Sequence, residues 1–158
     1  MAGITHHTYT EYRRSGKDVE NGSVGGNTKR YIAGGALNVG DVVLLTAADT
    51  VNKSATAADL AAFAGVVVSG DLLSGQIPDD TSVASVNAAS SGGYAIVQYN
   101  GIAYALAGGT VTIGTHLSVI GDTTAGRVIA GTTAGIIVGT PVESGSVGVL
   151  FRILINQR

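Results

Sequence analysis

The chain has 158 residues, of which 45% are hydrophobic, 5% aromatic and 13% charged, with 24 glycines, two prolines and no cysteine. That length suits one domain with a sizeable core. Abundant branched aliphatics and a net charge of only −2 exclude intrinsic disorder. The missing cysteines exclude disulfides and thiolate metal sites, and a charged share about half the usual one suits a smooth surface largely covered by neighbours.

Residues 1–29 show no sustained period of 2 or 3.6 and read as an extended N-terminal arm. The arm opens without an apolar leader core, and no apolar run in the chain approaches bilayer length, so a soluble chain made in the cytoplasm and free of membrane is expected. Residues 1–30 hold five basic against three acidic groups, a net of +2; residues 31–158 hold four against eight, a net of −4. Two readings of this asymmetry stay open: a basic arm that reaches across an acidic body, or a loosely ordered tail whose charges only solvate it. In the first, Ile4, Tyr9, Tyr12, Arg13 and Arg14 are the interface anchors, because tyrosine buries area while keeping a polar tip.

A single β-domain is expected over 30–158. Arg30 to Ala33, Asp41 to Thr46, Val51 to Lys53 and Phe63 to Ser69 read as strands. Thr56 to Phe63 has helix-friendly alanines but room for at most two turns. Residues 70–92 read as an elaborated connection with at most one edge strand, and Ala88 to Gly93 as low complexity. Tyr94 to Tyr99 and Ile102 to Leu106, separated by Asn100-Gly101, carry the strongest hairpin signal in the chain. Thr115 to Ile120, Arg127 to Ala130 and Gly135 to Gly139 follow as strands. Val147 to Ile155 closes the chain, with Val147, Val149, Phe151, Ile153 and Ile155 on one face.

One stretch occurs twice. Ala33-Gly34-Gly35-Ala36-Leu37-Asn38-Val39-Gly40 returns 74 positions later as Ala107-Gly108-Gly109-Thr110-Val111-Thr112-Ile113-Gly114. Each copy is a glycine turn, an apolar-polar-apolar run of strand period and a closing glycine. Each is followed by a glycine before an aliphatic run, Gly65-Val66-Val67-Val68 and Gly135-Ile136-Ile137-Val138. The expected fold is therefore all-β: a compact barrel or sandwich of about ten strands, built from pseudo-repeats near 30–99 and 104–155, with the arm and at most one short helix. The counterpart of the closing strand in the first half is Tyr94 to Tyr99.

Catalytic chemistry is not visible. His6 and His7 are adjacent and point opposite ways in an extended segment, without acidic neighbours to complete a metal site. His116 has no nucleophile-elbow motif to serve. The glycine-rich turns are not followed by helices, so they do not match phosphate loops. Asp79-Asp80 is a turn pair, and Arg13-Arg14 is too little for a phosphate-tracking surface. The sequence thus predicts no catalytic, cofactor or metal residues, no nucleic-acid partner and no enzyme.

A resemblance supplies what chemistry does not. The series AGGALNVGDVVLL, ADTVNKSATA, FAGVVVSGD, then GGYAIVQYNGIAYALAGGTVTIGTHLSVIGDTTAGRVIAGTTAGIIVGT and SVGVLFRIL resembles the capsid decoration (cement) proteins of tailed bacteriophages, in a small β-rich family, over about residues 30–155. The resemblance implies a virion protein on the outer surface of an expanded head. It would stabilise the head by contacts with the major capsid protein and with neighbouring copies, commonly as a homotrimer. The long basic arm and the 70–92 connection depart from that family's pattern. A tail or fibre module that recognises a host glycan is the alternative, with Tyr94, Tyr99 and Tyr104 as its only candidate aromatics.

Overall fold

The computed structural model describes residues 23–54, 62–72, 86–118, 125–131 and 137–155. Thirteen strands lie in these residues: β1 (Ser23–Gly25), β2 (Thr28–Ala33), β3 (Leu37–Asn38), β4 (Val42–Ala47), β5 (Thr50–Lys53), β6 (Phe63–Gly70), β7 (Asn87–Ala89), β8 (Tyr94–Gln98), β9 (Gly101–Leu106), β10 (Leu117–Ser118), β11 (Ile129–Ala130), β12 (Ile137–Pro141) and β13 (Leu150–Ile155). The fold is all-β, as expected, and among the described residues there is no α-helix. The stretch where a short helix was expected falls mostly outside the described residues, and Phe63 already opens β6. Of the arm, Ser23–Gly25 pairs with β9 and Thr28 and Lys29 belong to β2; residues 1–22 lie outside the description.

Strands β2-β5-β4-β6-β8 close a barrel, and β1-β9-β13-β12-β10-β11 form a second sheet. The pairings of the first recur in the second. β4 lies between β5 and β6, as β10 lies between β11 and β12. β8 lies between β6 and β2, as β13 lies between β12 and β9. The barrel closes by a parallel contact in which Ala33 faces Val51; the second lobe closes by one parallel bridge, Ala107 to Val128. Leu37 pairs with Ala89 in β7, and Val111 bridges Gly145. Gly40 and Gly114, the closing glycines of the repeated stretch, both have φ of +88°.

The interiors obey the same plan with exchanged side chains. Tyr31 stands opposite Ala95 in the barrel, and Ala105 stands opposite Phe151 in the second lobe. All four are buried. One aromatic and one alanine fill the same layer in both lobes, placed on opposite strands, which conserves volume.

One expectation is corrected. Asn100-Gly101 does not make a hairpin, because β8 pairs with β2 and β6 while β9 pairs with β1 and β13. Both strands are committed on both edges, so the Asn-Gly link, with Gly101 at φ +80°, becomes the corner where the chain passes between lobes. Buried Gln98 holds that corner: its Nε2 donates to the carbonyls of Gly25 (3.1 Å), Asn100 (2.7 Å) and Ile102 (3.0 Å). The one edge strand expected within the 70–92 connection is present as β7. Asn87–Ala89 is β7, and Ala88 and Ala89 are fully buried in the barrel core. Their small size suits a strand laid across a crowded end.

The lobes join at the Val39-Gly40-Asp41 corner. The Leu106 N–H donates to the Gly40 carbonyl at 3.0 Å, and the Val42 N–H donates to that of Gly126 at 2.7 Å. A Cβ on Gly40 would stand 2.5 Å from Leu150 Cδ2 and 2.7 Å from Leu106 N, whereas one on Gly114 meets nothing within 4 Å. Asp41, 1% exposed, accepts from the Asn38 N–H at 2.7 Å and pairs with Lys53 at 3.1 Å. Burial raises its pKa, against the opposing pull of the Asn38 N–H, Lys53 and Arg127.

The two glycines share one φ and differ in surroundings, so their alanine variants separate strain from crowding. Gly114→Ala should cost about 1–2 kcal/mol through strain, and Gly40→Ala about 3–5 kcal/mol, measured by urea unfolding in dilute solution. Equal losses would mean that the corner is not tightly seated. Asp41 gives a pH test. A raised folded pKa means that its contribution is fully present below the ordinary value of 3.8 and is lost as pH rises through the folded value. The stability of the wild-type chain relative to Asp41→Asn should therefore be highest near about pH 3.5 and fall towards about pH 7. A relative stability that grows with pH would contradict the burial-dominated site.

Candidate functional site

Among the described residues no three His, Cys, Asp or Glu side chains gather as metal ligands. His116 is exposed on the approach to β10, as a solvent-facing side chain. Ile4, Tyr9, Tyr12, Arg13 and Arg14, the expected interface anchors, lie outside the described residues, as do His6, His7 and Asp79-Asp80.

One concave site stands out, an open cavity of about 410 Å³ at the end of the first barrel. β2 supplies Arg30, Tyr31 and Ile32, the start of β8 supplies Tyr94, and the β4–β5 and β7–β8 turns supply Asp49 and Gly93. Strand alternation explains the lining. Tyr31 turns into the barrel core, while Arg30 and Ile32 turn outward on the other face of β2. Ile32 and Tyr94 sit opposite each other in the β2–β8 ladder and are 50% and 38% exposed. The Arg30 guanidinium lies over the Tyr94 ring, 4.2 Å from its centroid, a cation–π contact that holds both side chains at the rim.

The opposite rim carries an ion pair. Lys29 Nζ is 3.3 Å from Asp49 Oδ1 and 4.8 Å from the Tyr31 ring centroid. Hydrogen bonding to Asp49 raises the Lys29 pKa, with a smaller effect from Tyr31, so the ammonium stays charged. Both partners are largely exposed, so this pair positions charge and adds little stability. Asp49 takes φ +54° in the tight β4–β5 turn, and its carbonyl accepts the Ile32 N–H at 2.7 Å. The site therefore offers an aromatic face, an exposed aliphatic, a cation and a carboxylate, in a shape suited to an inserted side chain.

The three tyrosines named as glycan candidates do not come together. Tyr94 opens β8 and Tyr99 lies just beyond its other end, on the opposite side of the strand by alternation; Tyr104 is half-buried against the core. In the second lobe, Ile113 beside Gly114 is 60% exposed. Sequence reasoning used Tyr94 but missed Arg30, Ile32, Asp49 and Ile113. The available signal for Ile113 was its alignment with Val39 in the repeated stretch.

Among solved structures, the chain is similar to the N base of the head fibre protein gp8.5 of bacteriophage phi29. The TM-score is 0.53 and the identity 11%, over 82% of this chain and 93% of that one. At that identity the likeness shows the fold. No protein-family model matches the chain, and no curated protein matches it.

Proposed function

We propose that this chain is a structural protein of a bacteriophage virion, seated on the outer surface of the expanded head. There it reinforces the shell by contacts with the major capsid protein and with further copies of itself, as a homotrimer. The observation that carries the reading is the shared fold with a phage head fibre base across nearly the whole of both chains. The residue series of 30–155 points the same way. The physics suits such a role: a closed barrel and a second six-stranded lobe locked by a buried corner make a rigid block, and the work is binding, which needs no acid, base or nucleophile.

A second reading stays within the same class. In it the chain is the base on which a head fibre is mounted, a reading favoured by the structural neighbour, itself the base of a phage head fibre. The two readings share attachment to the head and differ in whether a further fibre protein follows. A glycan-binding tail module has less support, since the exposed tyrosines are dispersed.

Purified chain mixed with undecorated expanded heads should add outer-surface density at regular positions by electron microscopy, and should raise the temperature at which heads open. The absence of binding to heads would overturn the proposal. Removing residues 2–22 spares β1 and its pairing with β9, so this variant tests the arm alone. If the arm anchors the chain, its loss should weaken head binding by about tenfold or more, at unchanged unfolding of the body. Unchanged occupancy would take Ile4, Tyr9, Tyr12, Arg13 and Arg14 out of the interface.

A further inference from the structure

The contact between the two lobes is a docking of one repeat unit onto the next. Its donor is the Val39-Gly40 corner of the first barrel. Its receptor is the outer side of the second lobe, where Leu106 and Leu150 sit opposite each other in the β9–β13 ladder and enclose the corner beside Ala105. The repeat shift of 74 residues carries Val39-Gly40 onto Ile113-Gly114, and carries Ala105 and Leu106 back onto Tyr31 and Ile32. The residue opposite Ile32 is Tyr94, as the residue opposite Leu106 is Leu150. The receptor of the internal contact thus maps onto Tyr31, Ile32 and Tyr94, which line the open cavity.

Exposure marks the two ends as vacant versions of an occupied contact. Val39 is fully buried and Ile113 is 60% exposed; Leu106 is 2% exposed and Ile32 50%; Leu150 is 3% exposed and Tyr94 38%. Each position is buried at the junction between the two lobes and exposed at its repeat-equivalent, where the described residues supply no further unit. We infer that copies of this chain associate head to tail, the Ile113-Gly114 corner of one copy entering the Tyr31–Ile32–Tyr94 cavity of the next.

The exchange of residues between the two versions fits a contact between chains. Asp41 of the internal corner faces Gly126, whose Cβ would lie 2.8 Å from the carboxylate. By the repeat, Thr115 replaces Asp41 at the outer corner. The receptor it meets carries Asp49, which a second carboxylate would repel and a threonine does not. One internal bond has no external copy: the Leu106 N–H donates to Gly40, whereas the Ile32 N–H is already given to Asp49. The external contact is made by side chains, and Ile113 replaces the smaller Val39 at the position that enters the cavity. Such a contact is heterologous: each copy offers one donor and one receptor, so the copies close into a ring if the rotation per copy permits.

This inference rests on the internal repeat and not on attachment to heads, so the two fail separately. Sedimentation of the full-length chain should show a multimer. Ile113→Asp and Tyr94→Lys should each raise the dissociation constant by about tenfold or more, with unchanged circular dichroism, because both side chains are exposed. Ile113→Asp copies keep an intact cavity and Tyr94→Lys copies an intact corner, so mixing the two variants should yield a dimer that neither forms alone. The chain has no cysteine, which makes engineered thiols specific reporters. Ile113→Cys copies mixed with Ile32→Cys copies should cross-link on oxidation, and with Leu154→Cys copies should not. A monomeric wild-type chain at high concentration, a multimer unaffected by Ile113→Asp, or equal cross-linking to Leu154→Cys would each overturn the inference.

Discussion

The structure depends on one close approach: the backbone of Gly40 against the seam formed by Leu106 and Leu150. A side chain of any size there meets backbone nitrogen as well as a leucine methyl, so the lobes can come together only on a glycine. The positive φ of the same residue turns the chain from β3 towards β4 and delivers Asp41 into the buried junction. There the carboxylate is held by a backbone N–H and by Lys53, which moderates the penalty of burying it. Because the Val42 N–H reaches the Gly126 carbonyl, the corner is tied to both ends of the second lobe's barrel-like closure. The two lobes are consequently one packed body, with Val66 and Val68 on the outer face of the barrel buried in the second lobe's cluster.

The same approach shows how one unit of the duplication docks on the other. A unit that offers a corner on one side and a seam on the other can be joined in series. Within one chain the first junction is built by the Asn100-Gly101 crossing and stiffened by Gln98, whose buried amide nitrogen shares its two N–H groups among three carbonyls at the place where the chain changes lobe. At the outer ends the seam has become more polar and aromatic, with Arg30 over Tyr94 and Lys29 beside Asp49. That is a composition which tolerates exposure to water.

Much of the fold was legible in the residues. Strand period and glycine punctuation located most of the strands, and the two repeated stretches end on equivalent glycines, Gly40 and Gly114, that take the same positive φ, whereas their Gly-Gly pairs do not. The repeat is less visible in the core because volume is conserved across strands and not by position: Tyr31 with Ala95 answers to Ala105 with Phe151. A residue-by-residue comparison sees two mismatches where the packed layer is unchanged. The misread hairpin has a similar origin. Asn-Gly specifies a reversal that β-strands can use, but whether the flanking strands pair depends on who else claims their edges.

What the sequence by itself determined is therefore the local and periodic part: an all-β chain, the repeated corner, the alternation that sends Tyr31 inward and Ile32 outward, and the absence of a recognisable catalytic motif. What only the tertiary structure decided is which edges are occupied and which surfaces are covered. Val39 and Ile113 are equivalent aliphatics in equivalent turns, and no local property separates them. One is buried in the barrel core cluster that also takes in Leu106 and Leu150 of the second lobe, and the other is 60% exposed. Burial is a property of the neighbour as much as of the residue, and neighbours distant in sequence are supplied only by the fold.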